Sequence, residues 1–495
     1  MQLRINRAGL LVVGAAVVVC GAVAFCLFGG YGYMQLRPLP TPTLSFIDSV
    51  RATATAQSLE EPEDPTPTST STPTVQPTAP AAPEPTLEPT ATPIQEPTLA
   101  PQPTATTGAA ATTAPAGPPP PPPPPSTPRP QPAETCRPAR DTTVIRGPYL
   151  QWVRPNAITV VWETVDEVAS MVDFGPTAAY GSTATDCDFT SRHEVTVTGL
   201  NPYTVYHYRA RNGARVLSDD RTFKTAAGPG QTSFSFAVLG DTQSGIPPEH
   251  DHMGRYRGSA DEAHPRSAAK IETMNPDFYL HTGDLVFDGA DLAAWEDFFH
   301  FEGNLMSRIT MFPTLGESEA AHYNYFRIFH LPNNERWYSF DYGNAHFVCL
   351  QIDGQGDARP GSEQYQWLEN DLANSDKPWK FAFFHYPPYS YGPVGSKPEA
   401  RYVHSLFVKY GVEMVFSAND RNYQRFVLDG ITYIVTGGGA GATGELTGGS
   451  EVPPVFMERT KHVMSITING NTLHSVAYRL DAEGSEMDPF TLAPR

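Results

Sequence analysis

The hydrophobic rhythm changes several times along the chain. Residues 8–30, AGLLVVGAAVVVCGAVAFCLFGG, are an almost unbroken apolar run. At about 1.5 Å per helical residue, such a run is long enough for the roughly 30 Å hydrocarbon core of a bilayer. Residues 38–140 carry too few apolar side chains to offset chain entropy, which predicts a disordered Pro/Thr-rich stalk. Over 142–227 the pattern becomes that of short strands: AITVVWET, MVDFG, HEVTVTGL, YTVYHYRAR and RTFKT. Ile158, Val160 and Trp162 alternate to one face, and the turn spacing predicts an all-β sandwich. From 232 to 482 buried strands alternate with helical stretches, the signature of an α/β layered domain, and 483–495 form a C-terminal tail.

Within that last domain SFSFAVLGD is a buried strand ending in Asp241, and FYLHTGD a second ending in Asp284. Between them a polar insertion carries His250 and His252, and a helix is expected over Pro265–Met274. A short aromatic helix over Leu292–Phe299 precedes the strand ITMFPTLGESE, which runs into a turn at Gly316. YSFDYGNAHFVCLQID reads as a hairpin and Tyr365–Leu372 as a helix; WKFAFFHYPPYS is a strand delivering His385. A helix over Arg401–Tyr410 leads to the strand Met414–Phe416, after which the chain turns polar at Ser417–Asn422. ITYIVTGGG and a hairpin turning at Asn469-Gly470 close the domain. Open α/β sheets place ligands beyond the carboxyl ends of their strands. Asp241, Asp284, the Gly316–Glu319 turn, His385 and the Asn419–Arg421 turn therefore fall on one rim. Singly, such an Asp is an ordinary turn or cap residue and such a His an ordinary packed one. Gathered together, oxygen and imidazole ligands read as a metal site for phosphoester chemistry.

Composition narrows the partners. A formal charge of −19 argues against nucleic-acid binding, which needs a basic face. Arg4 and Arg7, in the cytoplasmic segment 1–7, precede the apolar run and favour export of everything after it. The expectation is a single-pass cell-membrane protein whose bulk is extracytoplasmic and which meets the membrane through its N-terminal helix. The competing expectation is a signal peptide cut after Ala22-Val23-Ala24, giving a secreted protein. Most of the fifty prolines crowd into the first third, where an extended spacer at about 3.1 Å per residue reaches some 300 Å. Of five cysteines, Cys20 and Cys26 lie in the apolar run and Cys349 in a core strand. Cys136 and Cys187 are left able to pair in an oxidising compartment.

Longer stretches carry a family resemblance. Leu200, Pro202, Thr204 and Tyr206 resemble the tyrosine corner of fibronectin-III and immunoglobulin-like sandwiches, while His193 and His207 read as satisfied or solvated strand residues. From Arg146 to Asp481 the segments GPYLQWVRPNAITVVWET, HTGDLV, MFPTLGE, RWYSFDYGNAHFVCLQ, FFHYPPYS and MVFSANDRNYQR resemble a purple acid phosphatase-type protein. That resemblance implies a fibronectin-III-like β-sandwich followed by a calcineurin-like metallophosphoesterase sandwich. It also implies a centre of two metal ions that hydrolyses phosphoric monoesters.

The resemblance assigns roles residue by residue. Asp241 matches the first metal-binding aspartate, Asp284 the bridging one, and His385 the histidine of the HxP motif. The tyrosine of GDxxY is Phe287 here; the GNHE turn is Gly316-Glu317-Ser318-Glu319, so Glu317 replaces the asparagine ligand and Ser318 the leaving-group histidine. The GHxH turn is Ala418-Asn419-Asp420-Arg421, without either imidazole. A guanidinium has no lone pair for a cation. The expected outcome is one divalent ion (Mg, Mn, Zn or Ca, with Fe less suited) held by Asp284, Glu317, His385 and Asn419. Arg421 is expected to stand in for the other metal by pairing with Asp241, and to grip phosphate oxygens. Replacement ligands from His250 and His252 are a further option. Weak, one-metal or lost phosphatase activity follows; the alternatives are a non-catalytic surface module for a phosphorylated ligand or protein partner, and a structural adhesion domain.

Overall fold

The computed structural model describes residues 136, 140–243, 260–481 and 483–495. The apolar run, the stalk, His250 and His252 lie outside the described residues; among those described, no helix is long and apolar enough to cross a membrane.

The first part is built from β1 (Val144–Arg154), β2 (Ala157–Gly175), β3 (Ser182–Thr198), β4 (Val205–Asn212), β5 (Arg215–Val216) and β6 (Arg221–Lys224). The long β2 joins them into one hydrogen-bonded sheet: its first half pairs with β1, its second half with β4, and β3 runs beside both. The tyrosine corner is made, with the Asn201 amide donating to the Tyr206 hydroxyl at 3.0 Å. His193 is a satisfied core residue, bonded to Thr164 and Ser170 and stacked on Trp162 at 4.7 Å. Cys136 and Cys187 form a disulfide.

The alternation expected for β2 is not observed; Ala157–Thr164 are buried on both faces. The sheet meets the neighbouring domain at β2, where Glu163 pairs with Arg327 at 3.3 Å, and along β1 and β4. The Tyr149 hydroxyl donates to the Ile328 carbonyl at 2.6 Å, Tyr208 to Ser307 at 2.7 Å, and the His330 amide to Gln151 at 3.1 Å.

That neighbour runs β7 (Ser233–Leu239), α1 (Ala260–Met274), β8 (Phe278–His281), α2 (Leu292–Met306), β9 (Thr310–Pro313), α3 (Tyr323–Ile328), β10 (Tyr338–Tyr342), β11 (Ala345–Cys349), α4 (Glu363–Asn374) and β12 (Trp379–Phe383). It continues through α5 (His404–Tyr410), β13 (Met414–Ser417), β14 (Tyr423–Leu428), β15 (Ile431–Thr436), β16 (Pro454–Glu458), β17 (His462–Asn469), β18 (Thr472–Arg479) and β19 (Glu486–Leu492). α2 extends past the expected Phe299 because Leu305 and Met306 continue its buried stripe, and α3 is a helix that the periodicity does not announce.

Two sheets result. One is ordered β19-β18-β17-β7-β8-β9, the other β10-β11-β12-β13-β15-β14-β16. Within them β7, β8 and β9 are parallel, as are β11, β12, β13 and β15. Their inner faces meet through aromatic rings, with Phe347 of β11 5.1 Å from Phe236 and 5.2 Å from Phe278. The parallel strands deliver Asp241, Asp284, the Gly316 turn, His385 and Asn419 beyond their carboxyl ends.

Candidate metal centre

Three side chains converge where the two sheets meet. One ligand atom each from Asp241, Asp284 and His385 lies within 4.8 Å of the others, and all three residues are buried. Asp241, Asp284 and Asn419 adopt φ values of 55°, 54° and 66°, a left-handed conformation that Asp and Asn enter more readily than other non-glycine residues. Backbone bonds hold the turns: the Asp241 amide donates to the Gly283 carbonyl at 3.0 Å and the Ala418 amide to the His385 carbonyl at 2.8 Å.

The imidazole is oriented by its back side. His385 Nδ1 lies 2.9 Å from the Thr282 carbonyl, which can only accept, so Nδ1 carries a hydrogen and Nε2 faces the carboxylates. Nε2 is 3.5 Å from Asp284 Oδ1. Burial pulls this imidazole's pKa down, but the charges of Asp284, Asp241 and Glu317 outweigh it and hold the group at about 9. Asp241 is pushed well above the carboxylate range by burial, with Asp284 adding to the rise while His385 and Arg421 oppose it.

Neither Asp241 oxygen accepts a hydrogen bond, and His385 Nε2 has no hydrogen-bond partner. A fully buried carboxylate without partners is costly unless a positive charge answers it. A histidine whose other nitrogen donates to a backbone carbonyl has the orientation typical of a metal ligand. On both counts the trio fits a divalent cation.

Other residues from the sequence reading sit differently. Arg421 is buried and its charge reaches Asp241, yet Asp241 receives no hydrogen bond, so the expected direct pairing is replaced by action at longer range. Glu317 is outside the trio; its Oε2 accepts from the Tyr386 hydroxyl at 2.6 Å. Glu317 is partly exposed, and its carboxylate is directed to that hydroxyl. Ser318 contributes its backbone amide, 3.0 Å from Asp284 Oδ1. Asn419 is buried, with Nδ2 lacking a hydrogen-bond partner. Phe287 packs against Ala263 and Ala440.

Two residues matter here that sequence reasoning passed over. Glu319 is fully buried and accepts from the amides of Asp284 (3.0 Å), Val286 (3.1 Å) and Gly316 (2.8 Å), locking the turns after β8 and β9 together. Gln243 donates from Nε2 to Asp284 Oδ2 at 2.8 Å. A glutamate two places beyond a candidate ligand, and an amide side chain two places after a strand-end aspartate, were the available signals.

Comparison with known proteins agrees with this architecture. Residues 234–418 match the calcineurin-like phosphoesterase family model, and residues 145–225 match the purple acid phosphatase N-terminal domain. A probable purple acid phosphatase of Arabidopsis thaliana is 24% identical over 316 residues, 56% of this chain and 68% of the relative. A second protein of that plant, named a probable inactive purple acid phosphatase, is 26% identical over 358 residues, 61% of this chain and 57% of the relative. The chain thus spans between about half and two thirds of the length of the curated relatives it matches. A solved purple acid phosphatase from yellow lupin (Lupinus luteus) seeds superposes with a TM-score of 0.61 at 19% identity, covering 71% of this chain and 74% of that one. That last likeness is one of fold.

Proposed function

The chain belongs to the purple acid phosphatase-like metallophosphoesterases, and from that premise we propose that it is a phosphoric monoester hydrolase reduced to at most one divalent cation, with activity weak or lost. The observation that carries this is the trio itself: Asp241, Asp284 and His385 gather into one ligand set while Glu317 is engaged by Tyr386. Of the ligands Asp284, Glu317, His385 and Asn419 expected from the sequence, the trio contains Asp284 and His385 and joins Asp241 to them. The apolar run and the stalk support an extracytoplasmic, membrane-anchored location.

Asp241, Asp284 and His385 would hold the ion, which when bound would supply positive charge to phosphate oxygens and polarise the ester. Mg, Mn, Zn or Ca suits two carboxylates and an imidazole in differing degrees. Thr282 keeps the His385 ring in register through its carbonyl. Arg421 adds positive charge to the rim and is suited to phosphate oxygens. Ser318 stands where the family's leaving-group histidine would be, and a hydroxyl is a poor proton donor at neutral pH. The leaving oxygen would depart with little assistance, and each missing electrostatic or proton-transfer aid is worth several kcal/mol of barrier.

A second reading, retention of a phosphorylated ligand without turnover, is favoured by Asp284 having a donor on each oxygen, Gln243 and the Ser318 amide. It is also in keeping with the relative named probable inactive. Purified full-length protein should be loaded with Mn²⁺ or Zn²⁺, analysed for metal per chain, and assayed on an aryl phosphate. One equivalent or less, with turnover at least a hundredfold below a two-metal relative assayed alongside, is expected. Two equivalents and comparable turnover would overturn the proposal. Tight phosphate binding without turnover would select the second reading.

A further inference from the structure

We propose that Gln243 sets the cation capacity of this centre, a conclusion that rests on the one-cation reading above. The two oxygens of Asp284 face different neighbours. Oδ1 lies 3.5 Å from His385 Nε2 and accepts from the Ser318 backbone amide at 3.0 Å, a donor on the side of the turn. Oδ2 accepts from Gln243 Nε2 at 2.8 Å. A carboxylate that serves two cations needs an open direction for each, and here the direction at Oδ2 holds an amide whose hydrogens carry positive charge.

The amide is not a loose surface group that a cation would displace. Gln243 is fully buried, and its own backbone amide donates to the Asp284 carbonyl at 2.9 Å, so it is fastened to Asp284 twice. Its φ is 46°, a conformation suited to glycine. A glutamine persists there because these bonds hold it. The orientation of the amide follows from its partner: turned over, its oxygen would face the oxygen of Asp284. Oε1 instead points away and is buried without a hydrogen-bond partner. A Cβ placed on Gly441 would lie 3.2 Å from Gln243 Oε1 and 3.0 Å from Arg421 Cδ, so the amide and the Arg421 side chain border the same space. Between Asp284 and Arg421 there is therefore a side-chain amide, flanked by a guanidinium, in the volume next to the trio. Restoring the lost family ligands would leave that amide in place.

The test reads metal stoichiometry and needs no catalysis. Full-length protein, the fivefold variant Phe287→Tyr, Glu317→Asn, Ser318→His, Asn419→His, Arg421→His, and the same variant with Gln243→Gly are each dialysed against Mn²⁺ and analysed for metal per chain. The expected values are at most one equivalent for the parent, one for the fivefold variant and two once Gln243→Gly is added. Glycine suits the left-handed position, and circular dichroism checks the fold. The fivefold variant binding two equivalents with Gln243 still present would overturn the proposal, as would a count that stays at one after Gln243→Gly. Gln243→Ala in the otherwise unaltered chain gives an independent measure: freeing Oδ2 should tighten Mn²⁺ binding at least tenfold, and unchanged or absent binding counts against the proposal. A parent that already binds two equivalents refutes the one-cation reading instead.

Discussion

Replacing Glu319 with alanine withdraws one carboxylate from three backbone donors at once. Oε2 accepts from Asp284 N at 3.0 Å and Gly316 N at 2.8 Å, and Oε1 accepts from Val286 N at 3.1 Å, all in a fully buried setting. Each buried N–H left without a partner costs about 1–3 kcal/mol. Water entering the vacated polar space would recover part of this, so the low end applies, about 3–5 kcal/mol at pH 5. At about 2–4 °C per kcal/mol for a domain of this size, melting should fall by roughly 6–20 °C. The pH matters because burial, reinforced by the charge of Asp284, pushes the Glu319 carboxyl up to about 8. Its folded pKa thus exceeds the ordinary 4.5, the folded state holds the extra proton between those values, and the stabilisation Glu319 supplies declines as pH rises through that window. The gap between parent and Glu319→Ala should accordingly narrow from pH 5 to pH 8 in guanidinium titrations. A loss below about 1 kcal/mol at pH 5, or a gap that widens with pH, would refute the assignment of Glu319 as the lock on these turns.

Three further outcomes are expected. Asp241→Asn and His385→Ala should each weaken Mn²⁺ binding at least tenfold by calorimetry, whereas Glu317→Gln should change it less than threefold, because Glu317 is held by Tyr386 outside the trio. His346 lies between Asp341 and Asp371, 2.8 Å from each; burial opposes its protonation, but these bonds outweigh burial and raise its pKa from 6.5 to about 9. Its contribution, about 3 kcal/mol by linkage, is complete below pH 6.5 and lost as pH rises through 9, so His346→Gln should flatten the stability profile over that interval. Reducing the Cys136–Cys187 disulfide, which closes a separation of 51 residues, should cost about 2–4 kcal/mol in melting experiments with and without reductant.

What was legible in the sequence, and what was not, follows from the range of the interactions involved. Asp241, Asp284 and His385 could be placed together because each directly follows a buried parallel strand, and strand direction alone sets which rim such a residue reaches. The His346 clamp was within reach of the same logic, since Asp341 and His346 stand directly opposite in the β10–β11 hairpin. The Gly316–Glu319 turn was not. It carries two glutamates, and which of them turns inward depends on a backbone path of a few residues that no periodicity encodes; Glu319 took the interior and Glu317 the Tyr386 hydroxyl. β2 departs in another way, because alternation reports one buried face whereas Ala157–Thr164 are buried throughout.

Gln243 is the most instructive omission. Nothing in a lone glutamine announces a φ of 46° or a bond to the carboxylate of Asp284, a residue 41 positions away. A histidine or tyrosine lost from a family position does not by itself leave room for a ligand or an ion. Two donors sit on Asp284, the Gln243 side-chain amide and the backbone amide of Ser318, and the Arg421 charge acts on Asp241. Fixed donors hold the Asp284 carboxylate in place without any ion. Gln243 and Arg421 border the same space beside the trio, and replacing either one singly should leave the centre with at most the one cation that Asp241, Asp284 and His385 fit.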